Sequence, residues 1–422
     1  MRRFVLRWGA LVILIGAAPA AADAQSSSAG AALSSALNSG MQQIGGASGA
    51  YVLDLNTGQT LYSYAGGIGR LPASVEKIYT TSTALLRFGP NATLTTTVLG
   101  NGTVDRNGAW HGVLYLKGGG DPTFGSAGFD QSFYGAGATV QRLVVNLVHN
   151  TGIRSVHGRI VGDESYFDSL RGTPATGFQP DLVDVEGLLS GLAYDRGFGN
   201  FAGTAGQSRP ALYATQQFVS ALQADGVKVP SNTPVYTAQA PGSAHQLAAV
   251  HSPTIAKLIQ LTNTPSDNYV AEMLLKGLGA RFANAGTTAA GAAVVRSELA
   301  TRFAIGPQLN DGSGLSRSDY TSPRQVVSVL RQLYPNADFF NSLAIGGETG
   351  TLQTEMQGTI AQGNCHGKTG TLHDVANLAG YCRARDGHTL AFAFLANAIA
   401  DSAYVHAVEG NDMAVALAGY NG

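Results

Sequence analysis

The chain of 422 residues carries 26 basic and 27 acidic residues, is 13% charged and holds 55 glycines. A balance this near neutral leaves no basic stripe for nucleic acid and no polybasic patch for a membrane surface, so small or neutral partners are expected. The length suits two or three domains of about 150 residues each.

Arg2, Arg3 and Arg7 precede an apolar run from Trp8 to Ala18, and Ala22-Asp23-Ala24 places small residues at a cleavage spacing. The run falls short of the roughly 20 apolar residues a spanning helix needs. Residues 1–24 are therefore expected to be a secretory signal cut before Gln25, with a retained membrane anchor as the alternative. The residues around Arg2-Arg3 fit a twin-arginine signal poorly, which favours the general export route. What remains has a net charge of −3.

Helical periodicity covers Ala31 to Ile44. Two alternating runs, AYVLDL and TLYSY, flank Asn56-Thr57-Gly58 and predict a hairpin. A helix-like stretch then opens at Pro72-Ala73-Ser74-Val75-Glu76-Lys77 and stops at Gly89-Pro90. Residues 94–244 read as a β-rich insert, with TLTTTVL, GVLYLKG, RIVGDESYF and KVPSNTPVY as short strands and helical patches at Val140–His149 and Leu212–Ala224. Helical pattern returns at Ser252–Leu261 and Tyr269–Leu278, and again at Ser322–Leu333. Three strands follow, Gly363–Thr371, Ala376–Arg385 and His388–Asn397, and then a last helix over Ala403–Ala418. The expected division is 25–93 with 245–422 as one discontinuous domain and 94–244 as the insert.

Cys365 and Cys382 are the only cysteines. An even count in an exported chain favours a disulfide, with two free thiols as the alternative. If the two cysteines face each other, Gly370 lies opposite Asn377 and a turn of six residues, Thr371–Ala376, joins the strands.

Ser74 and Lys77 stand one helical turn apart, within reach of each other. A serine attacks only when a base takes its proton, and lysine is a base only when neutral; burial and a second cation both favour that state. The second cation is Lys368, in Lys368-Thr369-Gly370-Thr371, and Ser266-Asp267-Asn268 stands between the two motifs. S-x-x-K, S-D-N and K-T-G in this order are the motif set of serine β-lactamases and penicillin-binding proteins.

In acyl transfer, Ser74 is the expected nucleophile and Lys77 its base, with Ser266 as proton relay to the leaving nitrogen. Asn268 is expected to hold a substrate amide, and Lys368, Thr369 and Thr371 a substrate carboxylate. Gly370 is expected to leave room for a substrate backbone. The backbone N–H groups of Ser74 and Thr371 form the expected oxyanion hole. Asp267 is expected to orient its loop. A P-loop reading of Gly363 to Thr369 fails because three residues, not four, separate its glycines. The nine histidines show no zinc spacing, so neither metal nor cofactor is implied.

The chain resembles the D-alanyl-D-alanine carboxypeptidases of the class C, low-molecular-mass penicillin-binding proteins, a family that includes DD-endopeptidases. Beyond the three motifs, the resemblance rests on LPASVEKIYTTSTALLRFGP, LYLKGGGDPTF, GRIVGDESYFD, DGSGLSRSDYTSP and GKTGTLHDVANLAGY. It implies an α+β fold of the β-lactamase/transpeptidase kind, an antiparallel sheet between helices, with a β-rich inserted domain. It also implies hydrolysis of D-Ala-D-Ala or D-Ala cross-links in peptidoglycan stem peptides through an acyl-enzyme on Ser74, with β-lactams as covalent inhibitors. The chain departs from the family at Glu355, where a GTL-x-x-Arg pattern carries a cation, and in the short interval between Ser74 and Ser266. A serine β-lactamase is the nearest rival, but Glu76, Glu164 and Glu186 are the only glutamates in that interval and none lies in a Glu-x-x-Leu-Asn setting. A non-catalytic wall-binding protein of the same fold is the second rival.

Overall fold

The computed structural model describes residues 20–422. The signal expected at residues 1–24 lies, as far as residue 19, outside the described residues. Among the described residues no helix is long and apolar enough to cross a membrane.

Helix α1 (Ala20–Ile44) starts ahead of the expected Ala31 and buries Leu33, Leu37, Met41 and Ile44, one face at helical spacing. The hairpin β1 (Ala47–Asp54) and β2 (Thr60–Tyr64) turns through Gly58 at φ +76°. A 3-10 turn, Ala73–Glu76, runs directly into α2 (Lys77–Phe88). Strands β3 (Thr93–Val104) and β4 (Ala109–Lys117) precede α3 (Ala127–Phe133) and α4 (Val140–Thr151). Then come β5 (Ser155–Asp163), α5 (Pro210–Ala224), β6 (Val235–Thr237) and β7 (His245–Thr254).

The rest of the chain supplies α6 (Ile255–Asn263), α7 (Asn268–Ala283), α8 (Thr288–Phe303), α9 (Pro323–Leu333) and the short α10 (Ala337–Phe340). It continues with β8 (Ala344–Ile345), β9 (Cys365–Leu372), β10 (Val375–Arg383) and β11 (Thr389–Asn397). The expected last helix is broken into α11 (Ser402–Ala407), a π-helical segment Val408–Ala414 and α12 (Val415–Ala418).

Two sheets result. The first is antiparallel, in the order β2-β1-β11-β10-β9-β8, so the N-terminal hairpin joins the four C-terminal strands through the β1–β11 pair. Strand β11 is apolar almost throughout because both faces are covered. Ala391, Ala393 and Leu395 join the core made with α2, α6, α7 and α9; Leu390, Phe392 and Phe394 join the core made with α1 and the C-terminal helices.

The second sheet has the order β6-β5-β4-β3-β7, with β4–β5 and β5–β6 parallel. Leu143, Val144 and Leu147 of α4 and Phe218 and Leu222 of α5 close its core. Strand β7, which follows the 244/245 boundary expected from the sequence, pairs with β3 and so belongs to this sheet. No periodic pattern marks Glu164–Arg209, and that stretch holds only two short 3-10 turns; it nevertheless reaches the site described next.

Cys365 and Cys382 form a disulfide and are cross-strand partners, and Gly370 pairs with Asn377. The turn is tighter than the six residues expected, because pairing continues through Thr371–Ala376 and Leu372–Val375 and leaves only His373 and Asp374 to reverse the chain. Arg317 grips that turn with two bonds to the Asp374 carboxylate, at 2.8 and 2.9 Å.

Candidate active site

The turn that carries Ser74 is held from three sides. Asn377 Nδ2, buried on β10, donates to the carbonyls of Leu71 (3.0 Å) and Pro72 (2.7 Å), while its Oδ1 accepts from Ala396 N. Asn397 Oδ1 accepts from Leu71 N at 2.7 Å. These bonds hold Ala73 at φ +45°, left-handed backbone that costs a non-glycine residue roughly 1–2 kcal/mol. From the other side, Gly314 sits so close that a Cβ there would lie 1.8 Å from Ala73 O. Ser74 itself is half-buried, whereas its neighbours Ala73 and Val75 are fully buried.

Lys77 points into the cleft from the first turn of α2 and is fully buried. Its Nζ lies 2.8 Å from Ser74 Oγ, 2.5 Å from Asn268 Oδ1 and 2.8 Å from Ser313 O. An amide oxygen and a peptide carbonyl can only accept. They therefore take two N–H bonds, and in the neutral amine the lone pair is left for the Ser74 hydroxyl.

Burial pushes the Lys77 ammonium down to about 8, against the opposing pull of Glu76, Asp311, Glu272 and Asp267. Desolvation, rather than Lys368, is the leading cause, which corrects the weight the sequence gave to a second cation. On Lys368 burial again leads, with Lys77 second, and the ammonium is driven well below its usual range. Glu272, one of these acids, is itself pushed up by burial, as is Glu76. Glu272 Oε1 accepts from Gly312 N (2.9 Å) and Ser313 Oγ (2.6 Å), and so fixes the loop whose carbonyl receives Lys77.

Ser266, Asp267 and Asn268 lie at the start of α7. Ser266 has φ +70°, and its Oγ accepts from Lys368 Nζ at 2.8 Å. Asp267 caps α7 by accepting from Val270 N and is bonded to the buried Arg196, which also donates to Tyr134 Oη. That is the loop-orienting position expected of it. Asn268 Nδ2 donates to Asp184 O at 2.6 Å, so its amide faces the irregular stretch of the insert.

Strand β9 forms the remaining wall. Strand β8 pairs only with His366 and Gly367, so no strand covers the outer edge from Lys368 onward. Lys368 is buried, Thr369 half-buried and Thr371 exposed. Thr369 Oγ1 donates to Thr351 Oγ1 at 2.8 Å, and Thr371 Oγ1 lies 2.7 Å from His406 Nε2. At Gly370 a Cβ would meet Pro72 O at 2.6 Å and Ser74 N at 3.1 Å. Its missing side chain lets β9 approach the Ser74 turn.

Two hydroxyl–lysine couples, Ser74 with Lys77 and Ser266 with Lys368, thus open on one cleft edge. The model of the D-Ala-D-Ala carboxypeptidase 3 (S13) family matches residues 30–182 and 201–418. The chain belongs to that family. The D-alanyl-D-alanine carboxypeptidase of Actinomadura sp. (strain R39) is 30% identical over 91% of this chain and 84% of its own. Penicillin-binding protein 4 of Haemophilus influenzae shares the fold at TM-score 0.71 and 21% identity, over 88% of this chain and 97% of its own, and has also been solved with a β-lactam bound. A predatory peptidoglycan endopeptidase of Bdellovibrio bacteriovorus matches at TM-score 0.53 and 16% identity, over 82% and 85%.

Residues of this S13 chain that sequence reasoning missed are Asn377, Asn397, Glu272, Arg196 and Asp184. An asparagine inside the apolar strand VANLAGY was the one readable signal among them. Glu355 lines a cavity of about 300 Å³ beside Thr369, Thr371 and His406, where Asn411 Nδ2 donates to it at 3.2 Å.

Proposed function

We propose that the protein is a penicillin-sensitive serine DD-carboxypeptidase that cleaves the D-Ala-D-Ala bond of peptidoglycan stem peptides through an acyl-enzyme on Ser74. The observation that carries this reading is the Lys77 ammonium nitrogen, desolvated and placed 2.8 Å from Ser74 Oγ with both other contacts able only to accept. Ser74 Oγ attacks the carbonyl carbon of the penultimate D-alanine while its proton passes to Lys77. The oxyanion that forms is received by the N–H groups of Ser74 and Thr371. Ser266, bonded to Lys368, relays a proton to the leaving nitrogen, and free D-alanine departs. Water then hydrolyses the ester, with Lys77 again as base. Lys368, Thr369 and Thr371 hold the terminal carboxylate, and Asn268 positions the peptide once its amide leaves Asp184 O.

β-Lactams enter the same sequence as substrate mimics, in line with the β-lactam complex of the Haemophilus protein. DD-endopeptidase action on cross-links is the same chemistry with a larger leaving amine. The substrate places the protein in the periplasm or cell-wall space, after export. The catalytic unit is read as residues 25–93 with 255–422, the insert as 94–254.

The test is release of D-alanine from a peptide ending in D-Ala-D-Ala, with Ser74→Ala as control and a fluorescent penicillin as label. Release and slow-leaving label are expected from the wild type and neither from the variant. Fast penicillin turnover would instead mark a β-lactamase, and absence of both release and label would leave the wall-binding reading.

A further inference from the structure

A cavity of about 520 Å³ lies away from the reacting groups, where the far end of α2 meets the second sheet. It is lined by Arg87, Lys117 and Arg281 and by no carboxylate. In a chain of nearly balanced charge, three cations around one cleft are a local excess. Arg87 shares Glu298 with Arg302, at 3.4 and 2.9 Å, and Lys117 lies 3.6 Å from Asp163. Arg281 has no carboxylate partner among the described residues. Both arginines stand in the last turn of a helix, where each offsets about half a negative charge of the helix end. Four cations against two carboxylates and two helix ends leave about one positive charge uncompensated.

The remaining lining is aromatic and hydroxyl-bearing. Arg87 stacks on Phe282 at 4.6 Å, which holds its guanidinium against an aromatic wall, and Phe88 packs on the same ring at 5.1 Å. Thr93, Thr95 and Thr97, at alternate positions on β3, put three hydroxyls on one face. The volume falls within the roughly 300–1,000 Å³ of small-molecule sites.

From this arrangement we infer a second binding site, for a carboxylate- or phosphate-bearing saccharide unit of the cell wall, with Arg281 and Lys117 as its principal cations. It lies roughly 16 Å from Lys77, the length of α2 at 1.5 Å per residue, and uses none of the reacting groups. An anionic wall polymer seated there holds the enzyme on its substrate lattice while the cleft at the other end of the helix turns over stem peptides.

Titration calorimetry tests it on the full chain with three probes: inorganic phosphate, a glycerol-phosphate oligomer and a disaccharide-peptide wall fragment. The oligomer and the fragment distinguish a phosphate from a carboxylate source. Binding of at least one probe is expected, weakened about tenfold or more in Arg281→Gln/Lys117→Gln and by raising salt from about 50 to about 500 mM. D-Alanine release from a small peptide should be unchanged in that variant. The exchange Arg281→Lys/Lys117→Arg, which keeps the charge, should bind. No binding of any probe by the wild type, equal binding by the uncharged variant, or loss of binding in the charge-keeping one would each overturn the inference.

Discussion

Gly370→Ala is the sharpest test of how the nucleophile is placed. The backbone at Gly370 carries no left-handed φ, so alanine is not strained by conformation and the effect comes from contact alone. The new methyl would lie 3.0 Å from Val75 N, 3.1 Å from Ser74 N and 2.6 Å from Pro72 O, the last about 0.8 Å inside the 3.4 Å at which ordinary contact begins. All three are backbone atoms, and Asn377 already holds Pro72 O at 2.7 Å, so the turn cannot swing aside without breaking that bond. Strand β9 and the Ser74 turn must therefore separate by up to about 0.8 Å, close to the 1 Å scale on which catalytic geometry is lost. That moves Ser74 Oγ and Ser74 N relative to Thr371 N.

A misplacement of this order costs about a hundredfold in rate, while overpacking costs about 1–3 kcal/mol of stability. The assay is the second-order rate of acylation by a fluorescent penicillin, measured beside D-alanine release and a thermal melt. Acylation and release should fall together by about a hundredfold in protein that remains folded. If penicillin acylates the variant at the wild-type rate while peptide turnover drops, the glycine makes room for substrate and the argument from the Ser74 turn is wrong.

Two further predictions concern protons. Lys77 acts as base only when neutral, and its neutral fraction grows as pH rises toward about 8; the acylation rate should therefore climb about tenfold per pH unit below that value and level off above it. A profile flat from mildly acidic to mildly alkaline pH would contradict a lysine base. Asp130 is buried, both its carboxyl oxygens lack hydrogen-bond partners among the described residues, and burial lifts it to about 8 from an ordinary 3.8. The folded chain then keeps a proton that the unfolded chain releases, so the associated stability is whole below about pH 4 and is lost as pH rises through about 8. Thermal melts of Asp130→Asn should depend less on pH and should exceed the wild type on the alkaline side; a wild type whose melting temperature rises across that window would refute this.

Local features of the fold were the ones legible in sequence. The 3-10 turn and α2 start where Pro72 and Ser74 suggested, and Ser322-Pro323 with Gln325 forms the capping box that opens α9. The pairing of β9 with β10 followed from one assumption about two cysteines. By contrast, α8 escaped because its Ala-rich run TAAGAAVVRSELATRF has little contrast between faces. Arg196 and Asp184 escaped because the stretch that carries them has no period to read, and it is tertiary packing that brings Asp184 O to Asn268. Lys77 shows the remaining limit. Its partner Ser74 is local and was found, whereas Ser313 O and the buried acid Glu272 behind it come from elements far along the chain.

The Asn377 clamp explains why a β-hairpin near the C-terminus governs a serine near the N-terminus. Asn377 reaches Leu71 and Pro72 only because it lies opposite Gly370, where no side chain intervenes. A one-residue slip of β10 against β9 would turn Asn377 to the other face of the sheet and leave Ala376 or Leu378 beside the Ser74 turn, neither able to donate to its carbonyls. The Cys365–Cys382 bond pins the other end of the same pair and forbids that slip. The disulfide, five pairs along the ladder from Gly370–Asn377, thus acts on Ser74 through strand register: it keeps in place an asparagine that helps hold Ala73 in a conformation the residue would otherwise leave.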